Sequence, residues 1–412
     1  MSALRFEIFA RSGARRARRG RVTTRHGSFD TPAFMPVGTR ASVKGIVPDW
    51  VSRTGAQILL ANTYHLLLRP GSDLVARRGG LHRFMNWDAP ILTDSGGYQA
   101  YSMADVNRVD DDGVTFKSII DGSMVRLTPE RATHVQNELG ADIIMAFDDC
   151  PPAQGADDAD APDARLSRVL RRDRVAPGAD FQKRLDIANE RTLRWLERCK
   201  ASHARADEQS LFGIVQGGTD EARRAWCAER VTQIDLPGYA IGGVAVGEPP
   251  DEIARVVRAT APLLPLDRPR YLMGVGYERD LLNAVLAGVD MFDCVLPTRN
   301  GRNANAFTPA GQIRLRNQQF AEDDGPIDPG CDCPACRPSA HGWKTPDARP
   351  FTRAYLRHLF MAGEMLGPIL VSLHNLRHFQ RFMSDVREAI PTDDWAALLA
   401  RWPAARGAIV AP

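Results

Sequence analysis

The chain has no apolar run long enough to cross a membrane; its longest are the size of a β-strand. It is also nearly balanced in charge, with 53 Lys and Arg against 50 Asp and Glu, a formal +3. So mild an excess does not by itself point to nucleic acid, although local arginine clusters could still hold phosphates. Seven cysteines is an odd count, which argues against a closed disulfide framework. Residues 1–30 lack the apolar core of a secretory leader, because Arg15, Arg16, Arg18 and Arg19 lie among small residues. The densest basic run, Arg11 to Arg25, reads as a solvated hairpin, since residues 20–27 alternate like an exposed strand. These absences leave a cytoplasmic globular enzyme as the expectation. At 412 residues, 44% hydrophobic, the chain can hold one large domain or two ordinary ones.

What the chain does have is three aspartates, each placed where a short apolar run breaks into a Gly-, Cys- or Pro-rich turn. Asp94 ends Ile91-Leu92-Thr93-Asp94-Ser95-Gly96-Gly97-Tyr98, Asp148 follows Met145-Ala146-Phe147, and Asp293 sits in Met291-Phe292-Asp293-Cys294. A carboxylate at the exit of a buried strand is poorly hydrated, so its pKa and nucleophilicity can be tuned. Any one of the three could be a helix cap or a turn residue. All three together, with small or sulfur-bearing neighbours, point to a single pocket.

Near-continuous apolar stretches recur at 34–37, 58–61, 91–93, 143–147, 212–215, 239–244, 271–275 and 291–295, as strands buried on both faces do. Helical signals fall between them. Thr128 before Pro129-Glu130 reads as an N-cap, Thr219 with Asp220-Glu221 opens a second helix, and Pro249-Pro250-Asp251-Glu252 a third. Residues 181–200 have helical spacing. Eight strands with interleaved helices predict an α/β chain folded as a (β/α)8 TIM barrel, with all three aspartates on the carboxyl-terminal face. A doubly wound open sheet is the alternative, but no glycine-rich dinucleotide fingerprint follows the first strand. The expected domains are a barrel over 1–310, with an N-terminal β-hairpin and an inserted loop at 151–180, a metal-binding subdomain over 311–380, and a helical tail over 381–412. A second insertion covers 337–350, and Trp395 and Trp402 in the tail are expected to pack.

Cys331, Cys333 and Cys336 place three thiolates within reach of one ion. Zinc, which takes four ligands in a tetrahedron, explains such crowding best, and a redox thiol pair explains it less well. His341, His358, His374 and His378 are candidates for the fourth ligand; His374 is placed after a helix that folds back over the cysteines. Three sulfurs and a nitrogen leave no open position, so the metal would be structural.

These motifs together resemble the bacterial-type tRNA-guanine transglycosylases, also called queuine tRNA-ribosyltransferases. The resemblance runs from Gly27-Ser28-Phe29-Asp30-Thr31-Pro32 to His374-Asn375. It includes Asn62-Thr63-Tyr64-His65-Leu66, Asp94 to Gln99, Gly113 to Ser118, Gly213 to Gly217, Tyr239 to Glu248, Tyr271 to Gly276 and Met291 to Thr308. It implies a (β/α)8 barrel with a C-terminal zinc subdomain whose ligands are Cys331, Cys333, Cys336 and His374. It implies exchange of the guanine at the tRNA wobble position for a 7-deazaguanine, through a covalent enzyme–RNA intermediate in queuosine biosynthesis. Asp293 corresponds to the nucleophile and Asp94 to the general acid/base. Base recognition would fall to Asp94, Ser95, Gly96, Gly97, Tyr98, Asp148, Cys150, Gln216, Gly243, Val246 and Met273, with Tyr98 and Met273 sandwiching the ring. Val246 resembles a position that narrows the pocket in bacterial members, which implies 7-aminomethyl-7-deazaguanine (preQ1) as the incoming base.

RNA contact would fall to Gly274, Val275, Gly276, Tyr277, Glu278, Arg279 and Asp280, and to Thr298, Arg299, Asn300, Gly301 and Arg302. A lysine common in the family after the Gly276 position is Tyr277 here. Family members form homodimers, and the same is expected of this chain. Two other classes compete: a non-catalytic RNA-binding subunit, which would lack an Asp94 or Asp293, and a zinc-dependent barrel hydrolase. The hydrolase would carry histidine pairs at strand ends, and no strand end has one.

Overall fold

In the computed structural model, residues 3–103, 107–151, 179–341 and 349–407 are described. Residues 152–178 of the expected 151–180 loop and 342–348 of the 337–350 insertion therefore fall outside the described residues, as does the side chain of His341.

Eight parallel strands form the centre: β1 (Ala33–Met35), β2 (Leu59–Ala61), β3 (Ile91–Thr93), β4 (Ile143–Met145), β5 (Ser210–Val215), β6 (Gly238–Ile241), β7 (Arg270–Leu272) and β8 (Met291–Asp293). They pair in chain order, and β8 pairs with β1, Met291 opposite Ala33. A parallel bridge from Val37 to Leu60 closes the ring, supported by Gly38 N–H on Leu60 O at 2.7 Å. Each predicted apolar stretch overlaps one of these strands. Seven of the eight are buried at every position, as expected when one face lines the barrel and the other lies under helices. Met35, Leu92, Met145, Phe212, Ile214, Tyr271 and Met291 share one apolar cluster, which fills the barrel interior. Phe212 is seated so tightly that a Cβ on Gly238 would lie 2.2 Å from its ring.

The amino-terminal end of the barrel is plugged by a three-stranded antiparallel sheet, Arg5–Arg11, Arg18–Thr24 and Gly27–Thr31. Here the expectation of a solvated hairpin is corrected. The middle strand turns alternate residues inward, and Val22 and Phe29 join the interior cluster. Arg18 is buried too, because Asp290 below β8 accepts its Nε at 2.8 Å and also takes the Arg270 N–H at 2.7 Å.

The helix Pro129–Leu139 is capped by the Thr128 hydroxyl as predicted, but Glu221–Gln233 is capped by Asp220, not Thr219. The carboxylate of Asp220 reaches the Arg223 N–H at 2.9 Å. At the other end of the chain, helix Leu366–Ala389 lies against the helix Leu296–Arg302 and runs without a break across residue 380. Gln380 on it donates to the Phe34 carbonyl of β1 at 2.9 Å. Trp395 and Trp402 are both buried, with the Trp402 indole on Asp385 at 2.7 Å. No helix among the described residues is long and apolar enough to cross a membrane.

Candidate active site

β3, β4 and β8 each run apolar to their last turn and then release an acidic side chain at the same end of the barrel. Asp94 leaves β3 and is buried. Asn62, at the matching exit of β2, donates its amide to Asp94 Oδ2, and the Thr63 N–H reaches Oδ1 at 2.8 Å. Burial still outweighs these donors, and with the charge of nearby Asp293 it pushes the Asp94 carboxyl up to about 6. Asp148 leaves β4 equally buried. Gln216, just past β5, donates to its Oδ2 at 2.6 Å, and the Ser95 hydroxyl to Oδ1 at 3.4 Å. Desolvation pushes Asp148 up to about 7, with adjacent Asp149 adding to it. Asp293 ends β8 half-buried, and desolvation raises its carboxyl as well. The Tyr271 hydroxyl, at 2.5 Å, and the Gly274 N–H, at 2.9 Å, both bind its Oδ1, which leaves Oδ2 unengaged by them.

The three carboxylates therefore face one region from different strands. Ser95 links the Asp94 loop to Asp148, and Asp293 acts electrostatically on Asp94. Around them, Gly97 starts the helix Gly97–Met103 against the Phe147 ring, and Tyr98 and Met273 are half-buried at the rim. Tyr98 and Cys150 have their acidities suppressed by burial and influence each other electrostatically, as both do with Glu248. Gly243 has φ of +61°, and a Cβ there would lie 2.1 Å from Gln216 Oε1, so only glycine fits. That Gln216 Oε1 is buried and has no hydrogen-bond partner among the described residues. Val246 is buried beside this loop, its N–H on Glu248 Oε2 at 2.9 Å. One acid held near 6, one near 7 and one carboxylate with an oxygen that Tyr271 and Gly274 do not engage suit proton transfer, donor recognition and nucleophilic attack.

Residues that sequence reasoning did not single out complete the site. Asn62 and Tyr271 hold Asp94 and Asp293, and the available signal was their own position at the ends of β2 and β7. Asp149 is clamped by Arg184 at 2.6 Å and by Arg191 at 2.6 Å, tying helix Ala179–Ser202 to the exit of β4. Only the fold brings those arginines there.

The two segments expected to meet RNA divide by exposure. Gly274 and Tyr277 are exposed, while Arg279, Arg299, Asn300 and Arg302 are half-buried. Val275, Gly276, Glu278, Asp280, Thr298 and Gly301 are buried. These six present little side-chain surface as the chain stands. Glu278 is bonded to His378 Nε2 at 2.5 Å, and a Cβ on Gly301 would strike Ser372. They shape the segments from inside.

Farther along, Cys331, Cys333, Cys336 and His374 gather with their ligand atoms all within 4.8 Å of one another, every one buried. His374 lies within the helix Leu366–Ala389, not after a helix as expected. Its Nε2 bonds the Phe307 carbonyl at 2.7 Å, which makes it the donor and leaves Nδ1, 3.4 Å from the sulfurs of Cys333 and Cys336, as a lone-pair ligand. His378 points instead to Glu278. The four groups could hold one metal ion.

A family model described as queuine tRNA-ribosyltransferase matches residues 13–174 and 169–408. The chain belongs to the queuine tRNA-ribosyltransferase family. A relative of that name from Symbiobacterium thermophilum is 49% identical over 406 residues, covering 98% of this chain and 92% of its own. One from Acetivibrio thermocellus is 50% identical over 393 residues, 95% of each chain. One from Thermus thermophilus is 50% identical over 390 residues, 95% and 91%.

The raised carboxyl of Asp148 carries a sign that can be tested. Its folded pKa of about 7 lies above the ordinary 3.8, so its protonated form stabilises the fold at low pH, and that contribution is lost as pH rises to 7. Asp148→Asn keeps an acceptor for Gln216 without the charge. Urea denaturation is expected to show the variant gaining on the parent between pH 4 and 7; a constant difference would contradict the assignment.

Proposed function

We propose that this family member is a tRNA-guanine transglycosylase, which exchanges the wobble guanine of tRNA for preQ1 in queuosine biosynthesis. The observation that carries the reading is the convergence of Asp94, Asp148 and Asp293 at one mouth of the barrel. Asp293 attacks the ribose C1′ through the oxygen that Tyr271 and Gly274 leave unengaged, displacing guanine and forming a glycosyl ester. A carboxylate can both attack and leave an anomeric carbon, so the exchange needs no external energy source. Asp94, with a carboxyl near 6, can supply the proton that keeps the departing purine from leaving as an anion, then recover one from the incoming base. Asp148 accepts from the N1–H and exocyclic amine of guanine together, a pair of donors that cytosine and adenine do not present. A site built on such bonds strongly rejects bases that lack them. The wobble base reaches the cavity by leaving its stack, and Tyr98 and Met273 at the rim can hold its ring. Arg299 and Arg302, just past Asp293, are the basic groups placed for the flanking phosphates.

The metal is zinc on this reading, since three thiolates and one imidazole are its tetrahedral structural set, and four protein ligands leave no place for a reacting water. It supports the C-terminal subdomain and takes no part in the exchange. The site faces the cytoplasm, where tRNA is found. Two copies assemble into a homodimer, for which exposed Tyr355, Met361, Met365 and Leu366 offer apolar surface.

Radiolabelled guanine is expected to enter a tRNA with a guanine wobble base, and Asp94→Asn or Asp293→Asn to lower the rate by at least about 10³-fold. A gel-stable adduct with tRNA that persists in Asp293→Asn would sink the nucleophile assignment. In the same assay preQ1 is incorporated faster than queuine, because Val246 narrows the cavity; the reverse order refutes that specificity. Metal analysis should find one zinc per chain, largely lost in His374→Ala, and unchanged zinc would remove His374 from the ligand set. Light scattering should return twice the chain mass; a monomer contradicts the dimer.

A further inference from the structure

Arg224 is fully buried in the first turn of helix Glu221–Gln233, and among the described residues no carboxylate lies at ion-pair distance from it. Its guanidinium is used on main-chain carbonyls instead. Nε donates to Gly218 at 2.6 Å, one terminal nitrogen approaches Val215 at 3.5 Å, and the other donates to Gly242 at 2.9 Å and Gly243 at 3.1 Å. One side chain thus ties the loop after β5 to the loop after β6. The loop also packs closely on the residue: Gly217 has φ of +136°, and a Cβ there would sit 2.8 Å from the Arg224 backbone nitrogen and 2.9 Å from its Cγ.

A buried arginine is costly even when, as here, the Glu248 carboxylate acts on it only from beyond ion-pair distance. Burial lowers Arg224 only to about 10, so it remains charged at neutral pH. Packing alone does not account for a cation here. Its bonds do. In a trans peptide the carbonyl and the following N–H point in opposite directions, and the peptides at 242–244 are trans. With the Gly242 and Gly243 carbonyls turned to Arg224, the N–H groups of Gly243 and Val244 turn away from it. The Gly243 amide accordingly bears on the Cys150 thiol, which also feels the Asp148 charge.

We propose that Arg224 is a positioning residue for base recognition: by gripping two consecutive carbonyls it aims the Gly243 and Val244 amides at the carbonyl edge of a purine. This rests on the exchange reading above and extends it to a residue that does not touch the base. Asp148 serves the donor edge and the amides the acceptor edge. Their aim is fixed before the base arrives, so no binding free energy goes into ordering them.

The test uses Arg224→Met, of similar length without donors, and Arg224→Lys, which keeps the charge but cannot span both loops. Equilibrium dialysis with radiolabelled guanine reads the base site directly, and exchange kinetics separate KM from kcat. Dissociation constant and KM for guanine are expected to rise about tenfold or more in both variants. The kcat at saturating guanine should stay within about threefold of the parent, and KM for tRNA should not move. A purely structural role would lower kcat and thermal stability and leave KM for guanine alone. If the methionine variant does not fold, the lysine variant carries the measurement. Guanine affinity within about twofold of the parent in a folded variant overturns the proposal. A parent that exchanges guanine while the variants bind it normally refutes only the role of Arg224. A parent that binds guanine without exchanging it refutes the transglycosylase reading, and the dialysis comparison still decides Arg224.

Discussion

Taking a carboxylate out of water is unfavourable unless donors or an opposite charge replace its hydration, and this chain does so three times around one mouth. Much of the architecture near the site follows from that constraint. Each aspartate is given donors, but too few to cancel burial: Asn62 and Thr63 for Asp94, Gln216 and Ser95 for Asp148, Tyr271 and Gly274 for Asp293. The incomplete compensation leaves Asp94 and Asp148 near neutral pH, where a proton can be exchanged or shared with a ligand. The donors come from the exits of β2, β3 and β5 and from β7, so the barrel supplies both the acids and their tuning.

The same ring explains the placing of charge elsewhere. At the amino-terminal end Arg18 and Asp290 form a buried pair that pins the N-terminal sheet under the barrel. At the opposite end Arg184 and Arg191 fix Asp149 beside the site, while Arg224 is spent on carbonyls. Buried arginine is used in both places as a fork that joins segments distant in sequence.

The C-terminal helix links the metal cluster to the exit of β8. His374 on Leu366–Ala389 belongs to the cluster, and its neighbour Asn375 bonds the Phe307 N–H at 2.9 Å and the Pro297 carbonyl at 2.9 Å. Pro297 lies four residues past Asp293. A cluster far from the cavity in sequence therefore braces the segment that follows the nucleophile candidate. A subdomain boundary at 380 cuts through this helix, since neither hydrophobic period nor composition changes where one packed surface hands over to the next.

Local pattern was enough for the eight strands, because strands buried on both faces leave unbroken apolar runs between turn residues. It was enough for the three cysteines, whose spacing alone brings them within reach of one ion, and for the aspartates at strand ends. It misread Arg18, since a strand alternating beside basic residues looks the same whether its inner face meets water or a barrel floor. It assigned no role to Asn62, Tyr271, Asp149 and Arg224, although the first three lie in or beside motifs it used. Their roles are set by contacts such as Arg191 on Asp149, 42 residues away, or Arg224 on Gly242, 18 away. Sequence by itself determined which residues are chemically equipped and which element each ends, because those follow from residue type and period. Only the tertiary structure decided which of them meet, which are desolvated and which way their donors point, because these depend on closing a ring of strands across 260 residues.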